Sequence, residues 1–293
     1  LEGETNAGYK QVGAISLHTD HEKLEKMIER ATKRREDAPE IGEIRMLEEK
    51  EVKELFPLVA DGYKGVFISG GARVDGKALK DALKQVAIKK GARWINGNAT
   101  LFVDGESKGV IVNDEKLYSN KIVVTAGAWG NEVLKPLGIT FKGTHQRGQI
   151  IHLLVNHENT GDWPVIMPPN DQYLLAFDGG RVVAGATHED NVQFDYRITA
   201  GGVEEVLSKA LAIAPGLANS TILETRVGFR PFTPGFLPII GPLPKFDGIF
   251  VANGLGASGL TAGPYLGKEL AKLVLGKKLE IEINLYPVSE AIE

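Results

Sequence analysis

The sequence predicts a mixed α/β fold in which the chain passes more than once between two interleaved domains. Residues 248–276 have the pattern of a buried strand, a glycine-rich turn and an amphipathic helix in succession. Residues 138–230 instead alternate apolar and polar side chains, as in an antiparallel sheet. Strand–helix segments lie at 66–137 and 237–276, with a further antiparallel segment at 12–66, so neither domain is continuous in sequence.

Hydrophobic periodicity and turn residues assign the elements in order. The predicted strands are 12–18, 63–69, 93–103, 109–113, 116–118, 121–125, 149–155, 172–177, 181–186, 221–229 and 249–252. The first predicted helix is capped by Thr19 or Asp20, and the last follows the C-terminal glycine turn. Between them, helices are predicted at 48–55, 77–90, 131–137 and 202–214. Asn113-Asp114 and Asp178-Gly179-Gly180 predict tight hairpins.

For two of these elements the sequence predicts which side chains or faces are buried. The helix at 77–90 is expected to bury a face that consists of Leu79, Ala82, Leu83, Val86 and Ala87. The strand at 121–125 is a continuous apolar run, which is typical of a strand that is buried on both faces.

The strand–turn–helix unit near the C-terminus has the features of a ligand site. Gly254, Gly256 and Gly259 follow its strand, and glycines let the backbone approach a ligand closely. The free amides at the start of the next helix suit an acceptor-rich group, such as a phosphate or a flavin carbonyl. A glycine-rich turn that serves only packing is an equal alternative. Pro264 is placed in the first turn of the helix and Gly276 at its C-terminal cap.

Composition excludes several classes of function. The chain has 293 residues, of which 43% are hydrophobic and 25% charged, as in an ordinary globular protein. Its net charge of -4 argues against a nucleic-acid partner, and it has no apolar run long enough for a membrane span. The absence of cysteine excludes disulfides and thiol catalysis and favours a cytoplasmic location. No metal site is predicted, because no pair of histidines has, together with carboxylates, the spacing of metal ligands on a helix or strand. The histidines are His18, His21, His145, His152, His157 and His188.

Several motifs together resemble the D-amino-acid oxidase/glycine oxidase family of FAD-dependent oxidoreductases. They are Gly71-Ala72-Arg73-Val74-Asp75, residues 123–129, Arg147-Gly148-Gln149, residues 183–190, residues 228–234 and residues 237–241, followed by the C-terminal glycine-rich unit. Each motif is weak alone, but their order and spacing over nearly the whole chain are specific.

The resemblance implies an incomplete FAD-binding Rossmann-like domain interleaved with an antiparallel-sheet substrate domain. It places the substrate domain at 1–66 and 138–230 and the FAD-binding domain at 67–137 and 231–293. The implied reaction is oxidation of glycine, an N-methyl glycine or a D-amino acid, with hydride transfer to flavin N5. The partner is a small amino acid or amine, and a homo-oligomer is compatible with the sequence.

Two departures from the family pattern bear on the cofactor and the substrate. The family begins with a βαβ unit that carries GxGxxG and holds the ADP half of FAD, and nothing in this chain matches it. This N-terminal unit is therefore expected to be missing, and the chain is expected to bind FAD poorly or not at all. Glycine oxidases also carry a basic residue near the position of Ala257, so one carboxylate contact of that relative is in doubt.

The resemblance also implies roles for individual residues. Arg230 is the candidate catalytic and substrate-binding residue, because a guanidinium can hold the carboxylate of an amino acid through two hydrogen bonds. Tyr173 and Tyr196 are expected either to line the substrate cavity or to pack in the core, and Met167 lies in a loop of similar family position.

The flavin is expected to contact Ala126, Gly127, Ala128, Trp129, Gly254, Leu255, Gly256, Ala257, Ser258, Gly259, Leu260 and Thr261. Other polar residues are expected to be structural. Arg147 is expected to anchor a loop and Glu189-Asp190 to form a solvated turn. Arg226 is expected to pair with Glu224, with a share in the role of Arg230 as the alternative.

Two functions from different classes stay open at this point. The first is FAD-dependent oxidation of a small amine or amino acid. The second is a non-catalytic, truncated fragment that does not retain FAD and acts at most as a binding or scaffold fragment. The flavin absorbance of the purified protein distinguishes the two. A nicotinamide dehydrogenase is disfavoured because the sequence has no GxGxxG.

Overall fold

The computed structural model describes residues 7–156 and 159–293. His157, which was weighed above as a metal ligand, lies outside the described residues. The chain divides into two compact units that are both assembled from separate segments. Unit 1 contains the described residues up to 87, with 147–189 and 195–228, and unit 2 contains 88–146, 190–194 and 229–293.

The predicted strands and helices occur in the predicted order, together with short strands at 10–11, 44–47, 72–73, 165–167 and 239–242 that the sequence did not predict. The strands are β1 Lys10–Gln11, β2 Ala14–His18, β3 Ile44–Leu47, β4 Lys64–Ile68, β5 Ala72–Arg73, β6 Ala99–Asp104, β7 Ser107–Val112, β8 Glu115–Tyr118, β9 Ile122–Val124, β10 Thr144–Leu154, β11 Val165–Met167, β12 Tyr173–Ala176, β13 Arg181–Gly185, β14 Thr221–Phe232, β15 Ile239–Pro242 and β16 Ile249–Asn253. The helices are α1 His21–Asp37, α2 Glu49–Leu55, α3 Gly76–Lys89, α4 Gly130–Leu134, α5 Ala200–Ile213 and α6 Gly259–Val274. Among the residues that the structure describes, no helix has both the length and the apolar character that a membrane crossing requires.

An eight-stranded sheet forms the centre of unit 1, in the order β14-β10-β13-β12-β11-β2-β4-β3. β2 and β11 are parallel, while the pairs on either side of them are antiparallel. The predicted antiparallel sheet is confirmed, because β10, β12, β13 and β14 lie together at one end of this order. Gly179 and Gly180 close the predicted β12–β13 hairpin with φ angles of 74° and 79°, which glycine adopts without a steric penalty.

One face of this sheet carries the larger apolar core. Ile15 of β2 and Ile151 of β10 are fully buried there, and Val206 of α5 packs in the same cluster. Burial of such side chains contributes about 1.5–3 kcal/mol each relative to exposure. The core therefore fixes which side chains of β10 point to the opposite face of the sheet.

The helix cap in unit 1 forms as the sequence predicts. The side chain of Asp20 accepts hydrogen bonds from the amides of Glu22 and Lys23, and α1 begins at the next residue. Leu24, on the apolar stripe of α1, is fully buried. The cap and the stripe together set where the helix starts and which face it turns to the sheet.

Unit 2 contains two smaller sheets. The first has the order β15-β16-β9, in which β9 and β16 run parallel and β15 and β16 antiparallel. The second is the antiparallel β6-β7-β8, and its predicted turn has positive φ at Asn113 and Asp114. Leu134 of α4, Ile249 and Val251 lie in the core of this unit.

Three predictions of burial or extent are wrong. Leu83 is 46% exposed and Ala87 is also exposed, so of the expected α3 face only Ala82 is buried. β6 begins at Ala99, and residues 93–98 are not a strand. Val123 is 44% exposed whereas Ile122 and Val124 are buried, so this apolar strand is covered on one face rather than two.

The position of Pro264 also differs from the prediction. Since α6 begins at Gly259, Pro264 lies in the second turn of the helix rather than the first. Its missing N–H leaves the carbonyl of Leu260 without its usual helical donor. Gly276, with a φ of 68°, follows the C-cap residue Leu275 as predicted.

His152 is a buried histidine on the sheet face opposite the core. Its side chain is 3% exposed, and neither ring nitrogen makes a hydrogen bond to the described residues. Nδ1 lies 3.7 Å from Glu224 Oε1 on β14. Burial lowers the pKa of His152 and the Arg226 guanidinium lowers it further, which outweighs the opposite effect of Glu224.

We predict that this histidine makes unit 1 sensitive to acid. Below the ordinary histidine pKa of about 6.5 the unfolded chain binds a proton that the folded chain resists, so stability falls as pH decreases through that value. In His152→Leu the loss of melting temperature between about pH 7.5 and pH 5.5 should shrink by about 3 °C, or roughly 1 kcal/mol. His21→Leu, which changes an exposed histidine, should keep the wild-type loss. Equal losses in wild type and His152→Leu would contradict the prediction.

Candidate functional site

The parallel pairing of β9 and β16 brings the two glycine-bearing turns of unit 2 together. Ile122 pairs with Ile249 and Val124 with Val251, so both strands end at the same edge of the sheet. The turn that starts at Thr125 and the turn that starts at Gly254 are therefore neighbours, as the sequence predicted. Ligands of open α/β sheets collect at such carboxyl ends.

Asn253, the last residue of β16, ties the two turns to each other. Its Nδ2 donates to the carbonyl of Gly127 at 2.9 Å, and its Oδ1 accepts from the amide of Gly254 at 2.7 Å. The residue is 6% exposed, so these bonds are shielded from water. Sequence reasoning missed Asn253, although a polar residue at the end of an otherwise apolar strand was a signal for it.

A cleft of about 210 Å³ opens where the two turns meet. It is lined by Thr125, Gly127, Pro231, Ala252, Asn253, Gly254, Leu255, Gly263, Leu266, Gly267 and Leu270. Its walls are apolar side chains and glycine backbone, with Thr125 and Asn253 as the polar side chains. This composition is that of a pocket for a flat, largely apolar ligand that carries a few polar atoms.

The glycines around the cleft have two different roles. At Gly254, whose φ is 82°, a Cβ would overlap the hydroxyl of Thr233, and at Gly256 it would overlap the ring of Phe232. These two glycines permit close packing of the turn. At Gly267 a Cβ would meet nothing, and at Gly263 it would lie 3.7 Å from Leu255, so these two leave the helix backbone open to a ligand in the cleft.

The predicted flavin-contacting residues lie in two short segments on either side of this edge. Gly127–Trp129 and Gly256–Ser258 each form a single 3-10 turn, and Leu260 and Thr261 lie in the first turn of α6. Of the predicted set, Gly127, Gly254 and Leu255 line the cleft. The lining does not include Ala126, Ala128, Trp129, Gly256, Ala257, Ser258, Gly259, Leu260 and Thr261. Ser258 makes no side-chain cap at α6, so its hydroxyl does not satisfy the first helical amides.

Arg230 lies on β14 directly before Pro231, which lines the cleft. Its side chain is half-buried, and its Nη1 donates to Gln146 Oε1 at 3.0 Å. Gln146 Nε2 in turn donates to Asp190 Oδ1 at 2.9 Å. Arg230 is therefore oriented by a polar chain within unit 2, which sequence reasoning did not foresee.

The other predicted substrate residues belong to unit 1. Tyr173 is half-buried on β12, and its hydroxyl lies beside Gly185 of β13. Met167, at the end of β11, is 50% exposed, and Tyr196 is 61% exposed, so these two are not core residues. Arg226 pairs with Glu224, as predicted.

An aromatic cluster forms around Phe194 in unit 2. The Phe194 ring is stacked between Trp129, with centroids 5.1 Å apart, and His145, with centroids 4.2 Å apart. Phe229 meets the Phe194 ring edge-on at 5.1 Å. Such pairs stabilise by about 0.5–1.5 kcal/mol beyond their area. Phe194 had no periodic pattern in the sequence that could have revealed this contact.

The prediction of a solvated turn at Glu189-Asp190 is wrong for Glu189. Its carboxylate accepts from Arg147 Nε at 3.0 Å, from Gln149 Nε2 at 2.8 Å and from Thr187 Oγ1 at 2.7 Å. Burial raises the pKa of Glu189, but the hydrogen bond from Arg147 and the others outweigh it and hold the pKa below its usual range. Arg147, which is 5% exposed, also pairs with Asp195 at 2.8 Å and so anchors this loop as predicted.

The described part of the chain contains no cluster of side chains that suggests a metal site. Within residues 7–156 and 159–293, no group of three histidine, aspartate or glutamate side chains is arranged to hold a metal ion.

Comparison with known proteins gives consistent matches over most of the chain. A family model described as "DAO: FAD dependent oxidoreductase" matches residues 1–273. "Uncharacterized oxidoreductase YurR" of Bacillus subtilis is 58% identical over 99% of this chain and 79% of its own length. Glycine oxidase of Pseudomonas aeruginosa is 28% identical over 83% of this chain and 68% of its own.

Solved structures give the same picture. The crystal structure of iminodiacetate oxidase (IdaA) from Chelativorans sp. BNC1 has a TM-score of 0.94 and 44% identity, and the match covers 98% of this chain and 78% of that one. Glycine oxidase from Geobacillus kaustophilus has a TM-score of 0.85 at 24% identity over 98% of this chain and 76% of that one, which shows the shared fold.

We predict that the Gly254 turn is intolerant of any side chain. Gly254→Ala combines an unfavourable left-handed φ with overlap on Thr233, and should lower the melting temperature by at least about 6 °C, or roughly 2 kcal/mol. Gly138→Ala is the matched control, because Gly138 has a φ of 75° and nothing within 4 Å of a Cβ. Gly138→Ala should lower the melting temperature by about half as much, because it introduces only the backbone strain. Thermal unfolding measures both, and an equal loss would show that the Thr233 contact is not rigid.

Proposed function

The chain belongs to the DAO family of FAD-dependent oxidoreductases, and on that premise we propose that it oxidises the carbon–nitrogen bond of a small amine bearing a carboxylate. We favour an N-substituted glycine as the substrate class, with glycine and D-amino acids as the wider set. The name of the 44% identical iminodiacetate oxidase supports this choice, because iminodiacetate is a secondary amine with a carboxylate on each arm.

The observation that carries the proposal is the position of Arg230. It precedes a residue of the cleft wall and is held by Gln146 on one side of its guanidinium. A half-buried guanidinium presents its donors in a fixed fork, which matches the two oxygens of a carboxylate. We assign to Arg230 the binding and orientation of the substrate carboxylate.

The cleft residues fit the flavin end of FAD. Gly263 and Gly267 leave the wall of α6 open, and Gly254 and Leu255 form the neighbouring wall of the cleft. We assign Gly127, Gly254 and Leu255 to direct contact, with residues 126–129 and 256–261 around them. Flavin, when bound, supplies the hydride acceptor for the oxidation. The protein residues bind, orient and exclude water, and no general base is required of them.

We propose Tyr173, Met167 and Tyr196 as further substrate-binding residues, and the side chains of the last two are largely exposed. We also propose the domain assignment implied by the sequence. The substrate domain consists of residues 1–66 and 138–230, and the FAD-binding domain consists of residues 67–137 and 231–293.

We predict that Arg230→Lys in the flavin-loaded protein lowers kcat/KM for N-methylglycine at least about hundredfold, or roughly 3 kcal/mol, because a point charge does not reproduce the planar fork. The dissociation constant of methoxyacetate, an ether analogue that cannot be oxidised in this way, should rise in parallel. Flavin content should stay unchanged. Arg93→Lys, at an exposed pair with Glu115, is the matched control.

Two results would contradict the proposal. If a fluorescence titration shows that the protein takes up no FAD, as its lack of a GxGxxG unit led us to expect, the alternative of a non-catalytic fragment is favoured and the proposed function is contradicted. Wild-type turnover and methoxyacetate affinity in Arg230→Lys would show that another residue holds the carboxylate.

A further inference from the structure

We propose that Gln146 and Asp190 are positioning residues for Arg230, and that they orient its guanidinium without neutralising its charge. The inference rests on the proposed function, in which Arg230 binds the substrate carboxylate. It assigns to the two hydrogen bonds described above a function in substrate binding.

The geometry is a linear chain of two hydrogen bonds. Asp190 Oδ1 accepts from Gln146 Nε2 at 2.9 Å, and Gln146 Oε1 accepts from Arg230 Nη1 at 3.0 Å. The carboxylate of Asp190 accepts only, so it selects the amide rotamer whose NH₂ group faces it. The same rotamer turns the amide oxygen toward Arg230. Without Asp190, a flip of the amide would place its NH₂ group against the guanidinium.

The choice of an amide rather than a carboxylate at position 146 has an electrostatic consequence. A glutamate there would form an ion pair with Arg230 and compete with the substrate carboxylate for the same cation. Glutamine accepts the hydrogen bond but adds no negative charge. Arg230 is thereby oriented, and Gln146 brings no charge of its own that would compete with the substrate carboxylate.

The segment 190–194, which we call the strap, holds Asp190 in place through contacts along its length. Phe194 lies between the rings of Trp129 and His145, at 5.1 and 4.2 Å. His145 Nε2 lies 2.8 Å from the carbonyl oxygen of Val192. These contacts fix the strap at Val192 and Phe194 within unit 2, so the position of Asp190 does not depend on its own exposed side chain alone.

The strap also explains why His145 and Gln146 precede Arg147 at the start of β10. His145 holds Val192 and Phe194, and Gln146 holds Asp190, so consecutive residues bind the two ends of one segment. The hydrogen bond to Arg230 comes from the same glutamine. The strap and the arginine are therefore connected through a single side chain.

Four variants of the flavin-loaded protein test the inference, with KM and kcat for N-methylglycine and the dissociation constant of methoxyacetate as readouts. Gln146→Met removes both hydrogen bonds at similar volume, and should raise KM and the dissociation constant about tenfold while kcat changes less than about threefold. Gln146→Glu should raise them about a hundredfold, because it neutralises Arg230. Asp190→Ala should have a smaller effect than Gln146→Met, and the double variant Gln146→Met/Asp190→Ala should be no worse than Gln146→Met alone.

Gln193→Met is the matched control, since Gln193 is an exposed glutamine in the same strap and should leave all values unchanged. Melting temperature and flavin content, measured on every variant, identify a general loss of folding. Gln146→Leu, a second apolar variant, replaces Gln146→Met if the latter unfolds.

The outcomes separate the inference from the proposed function. If Arg230→Lys weakens methoxyacetate binding but Gln146→Met and Gln146→Leu do not, the inference is wrong and the proposed function stands. If Gln146→Glu is no worse than Gln146→Met, the charge argument is wrong and the inference is overturned. If Arg230→Lys itself has no effect, both fail.

Discussion

The parallel pairing of β9 with β16 is the constraint on which the candidate site depends. It places the ends of two strands from distant parts of the sequence at one edge, and Asn253 then bonds to the turns that follow both. The bond to Gly254 is buried and the bond to Gly127 is partly buried, so loss of the Asn253 side chain would leave the Gly254 amide unsatisfied. The shape of the cleft therefore follows from strand register and one amide side chain.

The backbone and the side chains near this strand pair have different roles in the candidate site. Glycines without a Cβ form the wall where a flat cofactor would lie, while Asp190, Gln146 and Arg230 form a separate chain of polar side chains. A largely apolar wall raises the strength of each polar contact inside it. A small number of oriented polar groups is then enough to set the direction of a small substrate.

The sequence predicted the features that depend on local pattern. The order of elements, the hairpin glycines, the Asp20 cap and the meeting of the two glycine turns all follow from periodicity, turn chemistry and the rule for strand ends. It failed where burial depends on neighbours that are distant in sequence. Leu83 and Val123 have apolar patterns, yet their exposure is decided by what packs against the faces of α3 and β9. Glu189, Gln146 and Phe194 lie in segments without period, so only tertiary contacts reveal their partners.

The most direct test of the proposed site compares a carboxylate substrate with its methyl ester, whose carboxyl group carries no charge. In the flavin-loaded wild-type protein, kcat/KM for N-methylglycine should exceed that for N-methylglycine methyl ester by at least about a hundredfold, because the ester loses the charge-assisted contact to Arg230. The preference should largely disappear in Arg230→Met. Comparable values of kcat/KM for the acid and the ester in the wild-type protein would contradict the claim that a carboxylate directs the substrate into this site.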